Sequence, residues 1–178
     1  MVVDIVTRIK PSTLLNLIGY NIAWFGLILI GDNFIPVAIA LFVSQLWFFK
    51  AAKNEILLIL LVALVGIGLD LTLVYFGVFI FPDTEWIPLW LLTLWFVFAG
   101  TIRHSLAFLE NAKLLQLFVG AIFAPLSYIA GAKLSVVYFV PSLGVTYFLL
   151  ASVWAPLMLV IFSLSRWLLT LEEKSNVG

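Results

Sequence analysis

Long apolar runs alternate with short polar breaks along the chain, and their spacing predicts helices of membrane-crossing length, which need about 20 mostly apolar residues each. The first run covers residues 14–30, opened by Pro11-Ser12-Thr13 and closed by Gly31-Asp32-Asn33. Residues 34–49 are a shorter run, followed by Lys50-Ala51-Ala52-Lys53-Asn54-Glu55. Residues 56–81 reach Pro82-Asp83-Thr84-Glu85, residues 88–109 end at Glu110-Asn111-Ala112-Lys113, and residues 114–130 stop at Gly131. A last apolar stretch, 134–171, is broken by Pro141-Ser142-Leu143-Gly144. Residues 136–147 read as an interfacial or re-entrant piece and 148–169 as a sixth span. The expected fold is all-α: one transmembrane domain over 1–178, an integral membrane bundle of about six helices.

Composition narrows this further. Of 178 residues, 65% are apolar and 10% charged, and the mean hydropathy is +1.23. Soluble domains carry about 25% charged residues, so neither a soluble enzyme nor a disordered chain fits. Cysteine is absent, which removes disulfides and thiolate chemistry. The zero net charge gives no sign of a nucleic-acid partner. Arg8 and Lys10 precede the first run, but no small-residue cleavage site and polar mature domain follow, so that run is expected to remain as a span.

The charges are unevenly placed. Cytoplasmic loops collect Lys and Arg. With six spans and both termini cytoplasmic, Arg8, Lys10, Lys50, Lys53, Arg103, Lys113, Arg166 and Lys174 fall inside, and Lys133 alone falls outside. Trp86 and Trp90 near one boundary, and Trp47 and Trp167 near the other, suit interfacial aromatic belts.

Small residues recur at helical spacing and mark faces where helices approach closely. Gly120, Ala124, Ser127 and Gly131 form one such stripe, and Asn16, Gly19, Ala23 and Gly26 another. Both are expected to be helix–helix contacts.

Ionisable residues inside spans are costly and point to function by default. At about 1.5 Å of rise per residue, Asp70 lies ~21 Å from the cytoplasmic end, Ser127 ~20 Å and Thr93 ~24 Å. With Tyr128 they make an outer polar layer. His104 lies ~7–8 Å from that end, Asn21 ~10 Å and Gln45 ~6 Å. With Arg103 and Ser105 they make a cytoplasmic layer. His104 is the single histidine, and histidine is the side chain that ordinarily titrates near neutrality. Asn21 or Gln45 is expected to hydrogen-bond its ring, and Arg103 to snorkel or to hold an anion. Phosphate loops, zinc helices and nucleophile elbows are missing from the sequence. No metal and no cofactor are expected.

Two segments carry a family resemblance. Pro88-Leu89-Trp90-Leu91-Leu92-Thr93-Leu94-Trp95, running on to His104-Ser105-Leu106, is one. Gly120-Ala121-Ile122-Phe123-Ala124-Pro125-Leu126-Ser127-Tyr128 with Ala130-Gly131-Ala132 is the other. Together they resemble an uncharacterised family of small bacterial multi-pass inner-membrane proteins, a domain of unknown function. Asp70 after Gly66 and Gly68, and Asn21 with Trp24-Phe25, fit the same pattern. Arg103 stands where the family pattern has Asn before the His, and Ala124 where Gly precedes the Pro, so Arg103 is set aside from any shared role. The resemblance implies the bacterial cytoplasmic membrane and no activity. The leading expectation is a small transport or membrane-accessory protein whose partners are the bilayer and a lipid or small molecule. An intramembrane lipid enzyme with His104 as base and a structural subunit are the alternatives.

Overall fold

A computed structural model describes residues 10–177; Arg8 of the charge distribution lies outside the described residues. Helix α1 is Pro11–Ile30, started by a proline whose missing N–H costs nothing at that position. Gly31 ends it with a left-handed φ of +67°, a conformation that glycine adopts without strain. One 3-10 turn, Gly31–Phe34, leads into α2, Ile35–Phe48. The two helices fold back on each other: Asn16 Nδ2 donates to Gln45 Oε1 at 3.1 Å across 29 residues of sequence. Glycine makes room for this, since a Cβ on Gly26 would sit 2.1 Å from the Phe34 ring.

Helix α3 is Lys53–Tyr75 and α4 is Leu89–Ala99. They pack through Gly66, where a Cβ would lie 2.1 Å from the Trp95 indole. Helix α5, Lys113–Lys133, lies against α6, Leu143–Val177, so closely that a Cβ on Gly120 would meet the Trp154 carbonyl oxygen at 2.4 Å. The loops after α3 and α5 are tied by two short antiparallel strands, β1 (Phe79–Ile80) and β2 (Tyr138–Phe139). Asp32 Oδ1 accepts from the Trp90 backbone N–H at 2.9 Å and so supplies the acceptor that the first turn of α4 lacks. The core runs through Leu58, Val62, Trp95, Leu150, Met158 and Phe162.

The helical membrane character holds, and its division differs from expectation. Among the described residues, four helical stretches are long and apolar enough to cross a membrane: Pro11–Phe48, Lys53–Tyr75, Lys113–Lys133 and Leu143–Glu172. Leu89–Ala99 is shorter, about 17 Å against a hydrocarbon core of about 30 Å, so the span expected over 88–109 is not a full one. The helix expected over 56–81 ends at Tyr75, where the chain turns through Gly77 at φ +66° into β1. The re-entrant piece expected over 136–147 is replaced by β2, a short loop and the start of α6. That helix then continues through Pro156 to Val177.

Candidate functional site

The buried carboxyl of Asp70 is the focus of the outer layer. It is fully shielded from solvent and accepts two hydrogen bonds, from Trp95 Nε1 at 2.6 Å and from Tyr128 Oη at 2.7 Å. These join α3 to α4 and α5. Trp95 stacks on Trp154 of α6 at 5.2 Å between ring centroids, so four helices meet around one side chain. In a low-dielectric interior such bonds are strong, and an unpaired carboxyl would be costly. Ser127 faces another way and accepts a hydrogen bond from Trp24 Nε1 of α1 at 3.0 Å. Thr93 turns back to the Leu89 carbonyl of its own helix.

The end of α4 explains the second layer. Past Ala99 the backbone continues in turns, with His104 N–H on the Thr101 carbonyl. A helix that breaks off among buried residues needs substitute partners for its free backbone groups. Asn16 of α1 supplies them: its Nδ2 donates to the Gly100 carbonyl and its Oδ1 accepts from the Ser105 N–H, both at 3.1 Å. Asn16 also holds Gln45, so Gln45 and Ser105 meet through it. Asn21 is exposed and bonds the Leu17 carbonyl of its own helix.

The turn thus presents Arg103 and His104 away from Asn16, toward a polar pocket of about 370 Å³. His104 Nε2 lies 2.6 Å from Glu55 Oε1, and its ring stacks on Phe49 at 4.1 Å. The expected partners Asn21 and Gln45 are both engaged elsewhere. Arg103 does not reach outward: its guanidinium donates to the Ser165 carbonyl at 3.3 Å and pairs with Glu172 at 3.5 Å. A carboxylate holding one ring nitrogen of a histidine fixes the orientation of the ring.

A larger cavity, about 610 Å³, lies between α1 and α5, within the ~300–1,000 Å³ of small-molecule sites. Leu94 and Phe98 of α4, Phe123 of α5 and Met158 of α6 give it an apolar wall. Trp95 and Tyr128 also line it and stand between it and Asp70, which does not. The stripe Gly120, Ala124, Ser127 and Gly131 opens onto this space. The helix contact expected of that stripe is made by Gly120 against α6. The small side chains further along leave the volume free.

Sequence reasoning missed Asn16, Glu55, Trp95 and Trp24. Asn16 sits in a stripe of small packing residues, which masks that an amide in an apolar run needs partners. Trp95 lies inside a long apolar run of the sequence, and an indole N–H in such a run calls for an acceptor. Glu55 borders a loop and carried no signal of its own.

No curated protein and no solved structure matches the chain. Residues 13–160 match the family described as Protein of unknown function (DUF2878), and the chain belongs to that family.

Proposed function

We propose that this is a multi-pass protein of the bacterial cytoplasmic membrane, with both termini cytoplasmic, that acts as a membrane-accessory protein by holding an apolar, lipid-derived molecule. The observation that carries the reading is the cavity between α1 and α5. Several polar groups around it are already spent on protein partners: Trp95 and Tyr128 on Asp70, Trp24 on Ser127, and Thr101 on the Phe98 carbonyl. Trp154, which also lines the cavity, has a buried Nε1 with no partner among the described residues; the rest of the wall is largely apolar, and such a site favours hydrocarbon over a hydrated solute. The clustering of Lys50, Arg103 and Arg166 with α3, the turn after α4 and the far half of α6 supports the orientation.

The test is mass spectrometry of lipid that co-purifies with the protein in mild detergent, beside an Ala124→Phe variant that fills the cavity. A bound species lost in the variant, at unchanged helix content, supports the reading. Equal retention by both proteins overturns it.

A second reading, an intramembrane enzyme acting on a lipid, is favoured by the Glu55–His104 pair. It predicts that the co-purified lipid changes mass on incubation with the protein and stays unchanged with His104→Asn. No mass change with either protein removes it.

A further inference from the structure

The cavity has one wall unlike the others. Helix α3 packs closely on α4 at Gly66, and α5 on α6 at Gly120. Helix α1 packs on α2 and α4, and α5 on α6. Toward each other, α1 and α5 offer the hydrogen bond from Trp24 to Ser127, roughly two-thirds of the way along each helix. Along this side the lining residues Leu17, Phe108 and Phe123 are strongly exposed, the last two at 65%. Such apolar edges face hydrocarbon when the helices sit in a bilayer.

The cavity is also elongated along the helices. Its lining extends from Leu17 to Ile28 on α1 and from Val119 to Gly131 on α5, about 17 Å by helical rise. One leaflet of a bilayer is about 15 Å of hydrocarbon. A single acyl chain of a membrane lipid therefore matches the cavity in length and in chemistry.

Building on the lipid-holding reading, we infer that the occupant is one acyl chain of a bilayer phospholipid, that it enters sideways between α1 and α5, and that the Trp24–Ser127 hydrogen bond is the strap that opens to admit it. The indole has no water to turn to at this depth, so breaking the strap is uphill and the closed state is held. Interhelical hydrogen bonds of this type in membranes correspond to about three- to twentyfold in an equilibrium.

The absence of native cysteine permits a direct test. The full chain is reconstituted in nanodiscs, and a phosphatidylethanolamine with a diazirine on one acyl chain is added before irradiation. In the wild type, adducts are expected on Leu94 and Phe123 within the cavity and on Leu64 and Val160, which are exposed on the outer faces of α3 and α6. A Trp24→Cys/Ser127→Cys protein bridged by a short bismaleimide before the lipid is added should lose the Leu94 adduct and keep those at Leu64 and Val160. Separately, Trp24→Phe and Ser127→Ala, which keep the helices apolar, should each label Leu94 about threefold faster or more. Equal Leu94 labelling of the bridged and unbridged proteins overturns the sideways entry while leaving the lipid-holding reading in place. No Leu94 adduct in the wild type, with those at Leu64 and Val160 present, overturns the phospholipid acyl chain as occupant, and the lipid-holding reading then stands or falls on the co-purified species alone.

Discussion

A carboxyl group that no water reaches needs its own donors, and Asp70 has two, from Trp95 and Tyr128. Asparagine can replace it: the amide oxygen accepts from the indole while the amide nitrogen donates to the phenol oxygen. Asp70→Asn is therefore expected to keep near-normal thermal stability in detergent. Asp70→Leu strands both donors, at about 1–3 kcal/mol for each, and should lower the melting temperature clearly. Equal melting of the two variants would show that the bonds do not hold the fold. Asn16 uses both ends of its amide, so Asn16→Leu removes the carbonyl's donor and the N–H's acceptor together. Asn16→Asp keeps the acceptor for Ser105 and should fall between wild type and Asn16→Leu in resistance to proteolysis. A leucine variant as resistant as the wild type would contradict this role.

Among elements, the glycines of α3 separate packing from propensity. Gly66 faces Trp95 with no room for a methyl group, whereas nothing lies within 4 Å of a Cβ on Gly68. Gly66→Ala should displace the indole, weaken its bond to Asp70 and destabilise the protein. Gly68→Ala should be neutral or stabilise by up to about 1 kcal/mol through helix propensity. Thermal unfolding of the pair checks this, and matching losses would refute it. The helix boundaries were legible where glycine or proline marks them, as at Pro11 and Gly31. The end of α4 was not, because residues 88–109 read as one mostly apolar run that Thr101, Arg103, His104 and Ser105 do not visibly end, and the turn there is held by the side chain of Asn16, 84 residues from Gly100. Helix α6 starts earlier than expected because Pro141-Ser142-Leu143-Gly144, a sequence that reads as a helix break, instead leads into a helix that begins at Leu143.

For the molecule as a whole, orientation is the property most open to measurement. Single cysteines at positions 32, 84 and 133 should react with an impermeant thiol reagent in intact cells. Those at 52, 112 and 175 should react only after the membrane is opened. Labelling of position 175 in intact cells would contradict a cytoplasmic C-terminus.

The membrane character, the run of apolar helices and the oddity of Asp70 and His104 follow from sequence alone. Each rests on a one-dimensional quantity: run length against bilayer thickness, or the cost of a polar atom in hydrocarbon whatever surrounds it. Partners are another matter. Asp70 finds Trp95 and Tyr128, His104 finds Glu55, and Asn16 finds Ser105 89 residues away. Such pairings depend on how each helix is rotated and how deep it sits. Helices apolar on nearly every side carry little periodic signal of that rotation. The cavity belongs to no residue: it is the space left where α1 and α5 stay apart, and only the packing of the other helices decides that they do.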